Sequence, residues 1–186
     1  MRIGVLGLQG AVREHVDSLS RLDVEPRIVK RDRDLTGLDG LILPGGESTT
    51  IALLSRGELL PRLKQLAKDG FPMFGTCAGM ILLAQEVEGA GAGTLGAIDI
   101  AVARNASGRQ VDSFETMLDV EGIGRDVPAV FIRAPYITRI GAGVTEMAHH
   151  DGSVVMARAG NVLVASFHPE LTDDLRIHRF FVDMAI

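Results

Sequence analysis

The chain is poor in cysteine and aromatic residues and has no long apolar run. Its 186 residues include one cysteine, one tyrosine and no tryptophan. A single cysteine excludes an internal disulfide and a thiolate-rich zinc site, so Cys77 is either a small buried side chain or a reactive thiol. Because the apolar runs are much shorter than the roughly 20 residues that cross a bilayer, we expect no membrane span. The first residues do not resemble a signal peptide, which favours a cytoplasmic protein.

The chain also lacks an excess of basic charge. Lysine and arginine number 19 against 24 aspartate and glutamate residues, which gives a formal net charge of −5. Without a basic patch or a lysine-rich run, nucleic-acid binding is not expected. The length and the 46% hydrophobic content are typical of one globular domain, so we expect a single domain over residues 1–186.

Apolar runs alternate with amphipathic segments in the first half of the chain. This alternation predicts an α/β fold in three layers, with a largely parallel central sheet and flanking helices. From residue 95 onward short β-rich runs dominate and predict antiparallel additions to the sheet. A closing helix is expected over 173–184, capped by Thr172 or Asp173. The predicted strands cover 3–8, 28–29, 38–43, 72–75, 98–102, 116–120, 129–132, 154–157 and 162–166, and the other predicted helices cover 12–22, 48–55, 58–69 and 80–87.

The segment Gly75-Thr76-Cys77-Ala78-Gly79 has the form G-x-C-x-G between a predicted strand and a predicted helix. This is the context of a nucleophile elbow, in which small flanking residues let the strand and the helix approach closely. A thiol at that turn lies at a helix N-terminus, which favours a thiolate and a developing oxyanion. The alternative is a core cysteine in a glycine-rich turn, but the context favours a nucleophile.

A thiol nucleophile needs a base that can also protonate the leaving group, and histidine titrates in the appropriate range. Of the five histidines, His168 follows a predicted strand and precedes Pro169-Glu170. Residues i and i+2 of an extended segment point the same way, so Glu170 can orient the imidazole of His168. The alternative is a histidine that merely ends a strand.

A third strand end is rich in glycine. Pro44-Gly45-Gly46-Glu47-Ser48 closes a buried strand and should reach the same sheet edge as Cys77. Consecutive glycines expose backbone N–H groups that can donate to an oxyanion. An ordinary turn with Ser48 as a helix N-cap is the alternative, and both interpretations can hold together. No metal site is expected, because the adjacent His149 and His150 point apart.

Taken together, these segments resemble the class I glutamine amidotransferases, which use a catalytic triad. Within that class the chain is similar, from end to end, to the glutaminase subunits of pyridoxal 5′-phosphate synthase. The elbow alone would fit many amidotransferases, whereas the blocks 109–115 and 132–135 are specific to this family. The motifs that support the resemblance are LQGAVREH at 8–15, LPGGESTT at 43–50, RN at 104–105, GRQVDSFE at 108–115, FIRAP at 131–135 and SFHPEL at 166–171.

The resemblance implies hydrolysis of L-glutamine to L-glutamate and ammonia, without a cofactor. Ammonia would pass to a separate synthase subunit in a hetero-oligomer that makes pyridoxal 5′-phosphate, vitamin B6. The implied catalytic residues are Cys77, His168 and Glu170, and the implied oxyanion hole is formed by the N–H groups of Ala78 and Gly46. The glutamine pocket would be lined by Gly46, Glu47, Ser48, Arg104, Ile132 and Arg133. Because members of this family are gated by their partner, we hypothesise that the loop Gln9-Gly10 and the nearby helix face the synthase and complete the oxyanion hole.

Two other interpretations remain open from the sequence. The same triad could serve another acceptor, as in a different amidotransferase or a thiol hydrolase of the same fold, although the block 109–115 argues against this. The chain could also be a silent binding or regulatory subunit, since the presence of Cys77, His168 and Glu170 does not prove activity.

Overall fold

The computed structural model describes residues 1–46, 57, 59–89, 93–104 and 113–186. Within these ranges there are twelve strands, four α-helices and two 3₁₀ turns, Asp32–Leu35 and Pro169–Leu171. The strands are β1 (Arg2–Leu6), β2 (Glu25–Val29), β3 (Gly40–Leu43), β4 (Met73–Thr76), β5 (Ala84–Glu88), β6 (Ile98–Ala103), β7 (Phe114–Val120), β8 (Gly124–Phe131), β9 (Tyr136–Ile140), β10 (Thr145–His150), β11 (Ser153–Ala159) and β12 (Val162–Ala165). The helices are α1 (Val12–Ser20), α2 (Leu59–Lys68), α3 (Ala78–Leu83) and α4 (Arg176–Met184).

The central sheet has seven strands in the order β10-β11-β12-β4-β3-β1-β2. The five strands from β12 to β2 are parallel to their neighbours. β11 pairs antiparallel with β12, and β10 pairs antiparallel with β11. The predicted α/β class with a largely parallel sheet is therefore confirmed, and it fits the strands that are buried on both faces.

Helices cover both faces of this sheet. Successive residues of a strand point to opposite faces, so Met73 and Phe74 belong to two different apolar clusters. Leu63 of α2 is in the Met73 cluster, whereas Leu19 of α1 and Phe181 of α4 are in the Phe74 cluster. Burial of each large apolar side chain contributes about 1.5–3 kcal/mol to the free energy of folding. Because side chains alternate between the two faces of the sheet, both faces contribute. The result is the predicted three-layer arrangement.

The β-rich second half differs in part from the prediction. β11 does extend the sheet in the antiparallel sense, but β12 is a parallel strand next to β4. β6 belongs to a separate sheet with β5 and β9, and β7 and β8 form a separate hairpin. Short β-rich runs predict strands but not their partners, because pairing depends on the tertiary path of the chain.

Two helix predictions were wrong in their limits. The helix expected over 80–87 ends at Leu83, and residues 84–88 form β5 instead. Pairing with β6 provides the backbone hydrogen bonds that a helix would have formed. The closing helix begins at Arg176 rather than 173, and neither Thr172 nor Asp173 caps it. The Asp174 carboxylate accepts a hydrogen bond from the Arg176 N–H at 2.9 Å.

Two further expectations concern residues that the structure does not describe in full. The helix predicted over 48–55 lies outside the described residues, as does position 58 at the start of the next predicted helix.

Among the helices that the structure does describe, none is long and apolar enough to span a membrane.

Candidate active site

Four loops meet at the carboxyl edge of the central sheet. They follow β1, β3, β4 and β12, and these four strands are adjacent in the order β12-β4-β3-β1. Gln9 and Gly10 follow β1, Gly45 and Gly46 follow β3, Cys77 follows β4 and His168 follows β12. Ligands bind at this edge of open α/β sheets, so the parallel order of the strands assembles the candidate site.

Cys77 lies on a sharp turn between β4 and α3. Its φ and ψ angles are 50° and −107°, a backbone conformation that non-glycine residues rarely adopt. The Cys77 N–H donates to the carbonyl of Ala165 at 2.8 Å, which ties the turn to β12. Gly79 allows the helix to approach β3, because a Cβ at that position would lie 1.9 Å from the Leu43 carbonyl oxygen. The predicted strand–turn–helix geometry is present, and a strained turn is typical of functional sites.

His168 and Glu170 form a close, buried pair beside Cys77. His168 Nδ1 lies 2.7 Å from Glu170 Oε1, and the two residues are only 7% and 5% exposed. The backbone N–H of His168 donates to the Val130 carbonyl at 2.8 Å, which fixes the segment against β8. Glu170 therefore orients the imidazole through Nδ1 and leaves Nε2 for another partner.

The His168 imidazole is held in its protonated form. Burial alone would lower its pKa, but hydrogen bonds to Cys77 and to Glu170, and the negative charges of both groups, raise the pKa of His168 to about 10. The largest of these favourable contributions is the hydrogen bond to Cys77. A thiol hydrogen-bonded to an imidazolium is the arrangement by which thiol enzymes attack carbonyl carbons.

A cavity of about 570 Å³ opens over Cys77 and His168. A volume of this size accommodates a small metabolite. The described residues that line it come from the loops at the sheet edge, from α3 and from the segments after β6 and β8: Gln9, Gly10, Ala11, Gly45, Gly46, Cys77, Ala78, Ile81, Arg104, Ile132, Arg133, Pro135, His168 and Leu171.

The cavity contains most residues that the resemblance assigns to glutamine binding. Gly46, Arg104, Ile132 and Arg133 all line it. The Ile132 carbonyl oxygen is 3.9 Å from Cys77 Sγ. Arg104 has its Nε and Nη2 atoms buried without a hydrogen-bond partner among the described residues. Glu47 and Ser48 lie outside the described part of the chain.

The residues assigned to the oxyanion hole and to partner binding also line the cavity. Ala78 is the first residue of α3, so its N–H has no carbonyl partner within the helix. Gly10 lies directly against the glycine turn, because a Cβ on Gly10 would be 1.5 Å from the Gly45 carbonyl oxygen. Gln9 and Gly10 are exposed to solvent. The β1 loop is thus in contact with the turn that contains Gly46.

Three polar residues for which the sequence motifs predict no role lie next to this site: His15, Thr76 and His178. His15 and His178 are fully buried, and their ring nitrogens Nδ1 and Nε2 are 2.9 Å apart. His15 Nε2 lies 3.2 Å from Thr76 Oγ1 and 3.5 Å from Glu170 Oε2. In the sequence His15 looks like one residue of an amphipathic helix, so only the fold reveals its proximity to Glu170. Within the described ranges, no group of three or more metal-ligating side chains is arranged to hold a metal ion.

Comparison with known proteins decides the family. The family model for the SNO glutamine amidotransferase family matches residues 5–186. The chain belongs to this family. It is 54% identical over 185 residues to the pyridoxal 5′-phosphate synthase subunit PdxT of Carboxydothermus hydrogenoformans, with 98% of this chain and 97% of that protein covered. It is 53% identical over 185 residues to the PdxT subunit of Geobacillus thermodenitrificans, with 99% and 95% covered.

Solved structures agree with this membership. A crystal structure of a glutamine amidotransferase superposes with a TM-score of 0.93 at 47% identity and covers 98% of each chain. The PurLQS structure from Thermotoga maritima superposes with a TM-score of 0.74 at 18% identity, over 98% of this chain and 97% of that one. The second similarity concerns the fold alone. This glutamine amidotransferase therefore shares its architecture with more distant proteins as well as with its own family.

Proposed function

We propose that this glutamine amidotransferase is the glutaminase subunit of a pyridoxal 5′-phosphate synthase. It hydrolyses L-glutamine to L-glutamate and ammonia, and the ammonia is delivered to a synthase subunit. The observation on which the proposal depends is that Cys77 and His168 line one cavity, with Glu170 bound to His168, in a chain that matches PdxT subunits over nearly its whole length. Residues 1–186 act as a single domain in the cytoplasm.

In the first half of the reaction the Cys77 thiolate attacks the side-chain amide carbon of glutamine. The C=O bond opens to an oxyanion, and His168 Nε2 gives its proton to the amide nitrogen. The C–N bond then breaks, ammonia leaves and a thioester to Cys77 remains. The raised pKa of His168 supports this role, because the imidazolium is available as the acid at neutral pH.

In the second half, water replaces the leaving group. The now neutral His168 removes a proton from water, the hydroxide adds to the thioester carbon and the C–S bond breaks. The products are glutamate and the restored thiolate–imidazolium pair. Throughout both halves the Glu170 carboxylate holds the His168 ring through Nδ1, at the distance of 2.7 Å, and stabilises its positive charge.

The N–H groups of Ala78 and Gly46 form the oxyanion hole. Ala78 is suited to donate because its N–H lies at the N-terminus of α3. Gly46 joins it after a rearrangement of its turn, for which the glycine backbone has the necessary freedom. Loss of one such donor reduces turnover by about 100- to 1,000-fold.

Charged residues recognise the amino-acid end of glutamine. The substrate has an α-carboxylate and an α-ammonium group, which require a cation and an anion or carbonyl. Arg104 and Arg133 supply the positive charge, Glu47 supplies the negative charge, and Gly46, Ser48 and Ile132 complete the pocket. The buried Nε and Nη2 atoms of Arg104 support this assignment, since no described residue accepts from them.

The synthase subunit regulates the site through Gln9 and Gly10. Contact between the β1 loop and the Gly45 turn supports this step, because a partner that moves the loop also moves the turn. Gln9→Ala should then reduce synthase-dependent glutaminase activity and leave the melting temperature unchanged. Gln65→Ala is the matched control, since Gln65 is an exposed glutamine on α2, away from the cavity. Wild-type activity of Gln9→Ala at saturating synthase would exclude the gating role.

The direct test is glutamate release from L-glutamine by the purified chain, alone and with a pyridoxal 5′-phosphate synthase subunit. Cys77→Ala serves as the blank. We expect release that requires both Cys77 and the synthase subunit. If the synthase has no effect but Cys77-dependent release occurs, the acceptor is a different one. If no release occurs and Cys77 reacts with a glutamine-like electrophile no faster than free cysteine, the chain is a silent subunit.

A further inference from the structure

His15 and His178 form a buried pair outside the candidate cavity. His15 lies on α1 and His178 on α4, and neither has any solvent-exposed surface. Their rings are 5.2 Å apart between centroids, and His15 Nδ1 is 2.9 Å from His178 Nε2. Phe74 of β4 contacts both rings edge-on. Two polar rings in an apolar layer are costly to bury, so their placement requires an explanation.

The other ring nitrogen of His15 faces the proposed triad. His15 Nε2 is 3.5 Å from Glu170 Oε2, the carboxylate oxygen that does not bind His168. Both side chains are completely buried. Among the described residues, Oε2 has no partner within hydrogen-bonding geometry. His15 Nε2 is therefore a donor candidate positioned at an otherwise unsatisfied carboxylate oxygen.

His15 is neutral in this environment. Burial, together with the positive charges that His178 and His168 can bear, lowers the pKa of His15 well below its usual value of 6.5. Burial also lowers the pKa of His178 to about 4. A neutral imidazole has one N–H and one acceptor nitrogen, so each ring must use one of two tautomers.

The surroundings favour one tautomer of His15. If Nδ1 has the proton, a lone pair on Nε2 faces the Glu170 carboxylate, and the Nδ1–H of His178 is left without a described acceptor. If Nε2 has the proton, it points towards Glu170 Oε2 and Thr76 Oγ1, and His178 Nε2–H donates to His15 Nδ1. The second arrangement pairs both ring N–H groups and places a proton rather than a lone pair against the Glu170 carboxylate, which favours it electrostatically.

We propose that His15 is a positioning residue for the triad, whose Nε2–H fixes Glu170 through its second carboxylate oxygen while His178 fixes the tautomer of His15. The inference rests on the proposed function of Cys77, His168 and Glu170. His15 does not line the cavity, so it acts through Glu170 rather than on the substrate.

The same nitrogen of His15 also connects to the glycine turn. Thr76 Oγ1 accepts a hydrogen bond from the Gly45 N–H at 3.1 Å, and His15 Nε2 is 3.2 Å from the same oxygen. Glu170 and the turn before Gly46 therefore share one buried group. A carboxylate that is hydrogen-bonded at both oxygens is already oriented before the charge on His168 changes during the reaction. The site is then preorganised, and the carboxylate does not have to be ordered in the transition state.

Two substitutions of His15 separate positioning from packing. His15→Gln retains an N–H at the place of Nε2, whereas His15→Leu fills similar volume without a donor. Each variant is assayed as the full chain with the synthase subunit present, and kcat and KM for glutamine are measured separately. We expect His15→Leu to lower kcat about 10- to 100-fold, the range for loss of one hydrogen bond to a charged group, with KM unchanged. His15→Gln should recover most of the loss.

Leu19→Ala is the control for general destabilisation. Leu19 lies on the same helix and is equally buried, within the apolar cluster of Phe74. It should lower the melting temperature without changing kcat at a temperature where it remains folded. If His15→Leu is as active as the wild type, or if His15→Gln and His15→Leu lose kcat equally, the positioning role is excluded. An inactive wild type would instead contradict the proposed function.

Discussion

The α-carbon of Gly45 lies against the imidazole of His168. A Cβ added to Gly45 would come within 2.4 Å of His168 Cε1 and 3.2 Å of Cys77 Cβ. Real Cβ atoms do not approach other heavy atoms as closely as 2.4 Å, so no other residue fits without moving the histidine. The glycine turn after β3 therefore determines how near the Cys77 and His168 side chains can lie to that turn.

Gly45→Ala should displace the His168 ring and reduce kcat/KM for glutamine by about 100-fold, the cost of a misplacement of about 1 Å. The fold should remain, since overpacking costs only about 1–3 kcal/mol. Glutaminase assays and thermal melts measure both effects. Gly93→Ala is the control, because a Cβ there meets nothing within 4 Å. Full activity in Gly45→Ala would show that the ring can move freely.

The protonation of His168 should depend on both of its neighbours. Hydrogen bonds and negative charge from Cys77 and Glu170 oppose burial and raise its pKa to about 10. Cys77→Ala and Glu170→Gln should each lower the pKa of His168, and the double variant should bring it below 6.5, because only burial then remains. Titration of the ring nitrogens by NMR measures these values. A pKa that stays near 10 in the double variant would contradict this explanation.

Acidification should destabilise the fold through His178. Its pKa is about 4 in the folded protein and 6.5 in the unfolded chain, so unfolding takes up a proton between these values and stability falls as the pH falls. Protonation of His178 in the folded state costs about 3 kcal/mol more than in the unfolded chain. Urea unfolding between pH 7 and pH 4 should show a weaker pH dependence for His178→Leu than for the wild type. Equal slopes would contradict this role.

Arg104 should determine glutamine affinity. The Nε and Nη2 atoms of its guanidinium are buried at the cavity without a described acceptor, so a substrate carboxylate is a suitable partner. Arg104→Met should raise KM about 10- to 100-fold with a smaller effect on kcat. Arg139→Met is the matched control, since Arg139 forms surface ion pairs with Asp99 and Glu86. An unchanged KM in Arg104→Met would exclude this contact.

Local sequence predicted the parts of the site that depend on near neighbours. The glycines around Cys77 predict its turn because only small residues allow β3, β4 and α3 to approach. The predicted pairing of His168 with Glu170 is present, but the extended segment expected there was wrong, because Pro169–Leu171 form a 3₁₀ turn. The alternation of apolar runs predicts the parallel sheet. By contrast, the end of α3 at Leu83 was missed, because pairing of residues 84–88 with β6 overrides a helical pattern.

By itself the sequence determined the α/β class, the sharp turn at Cys77 and the family, since each depends on short segments or on the whole chain as a pattern. The resemblance assigns Arg104 to the glutamine pocket, but only the tertiary structure decided that His15 and His178, 163 positions apart, meet beside Glu170. The physical reason is that sheet order and helix packing bring distant residues together. Spacing along the chain does not contain that information.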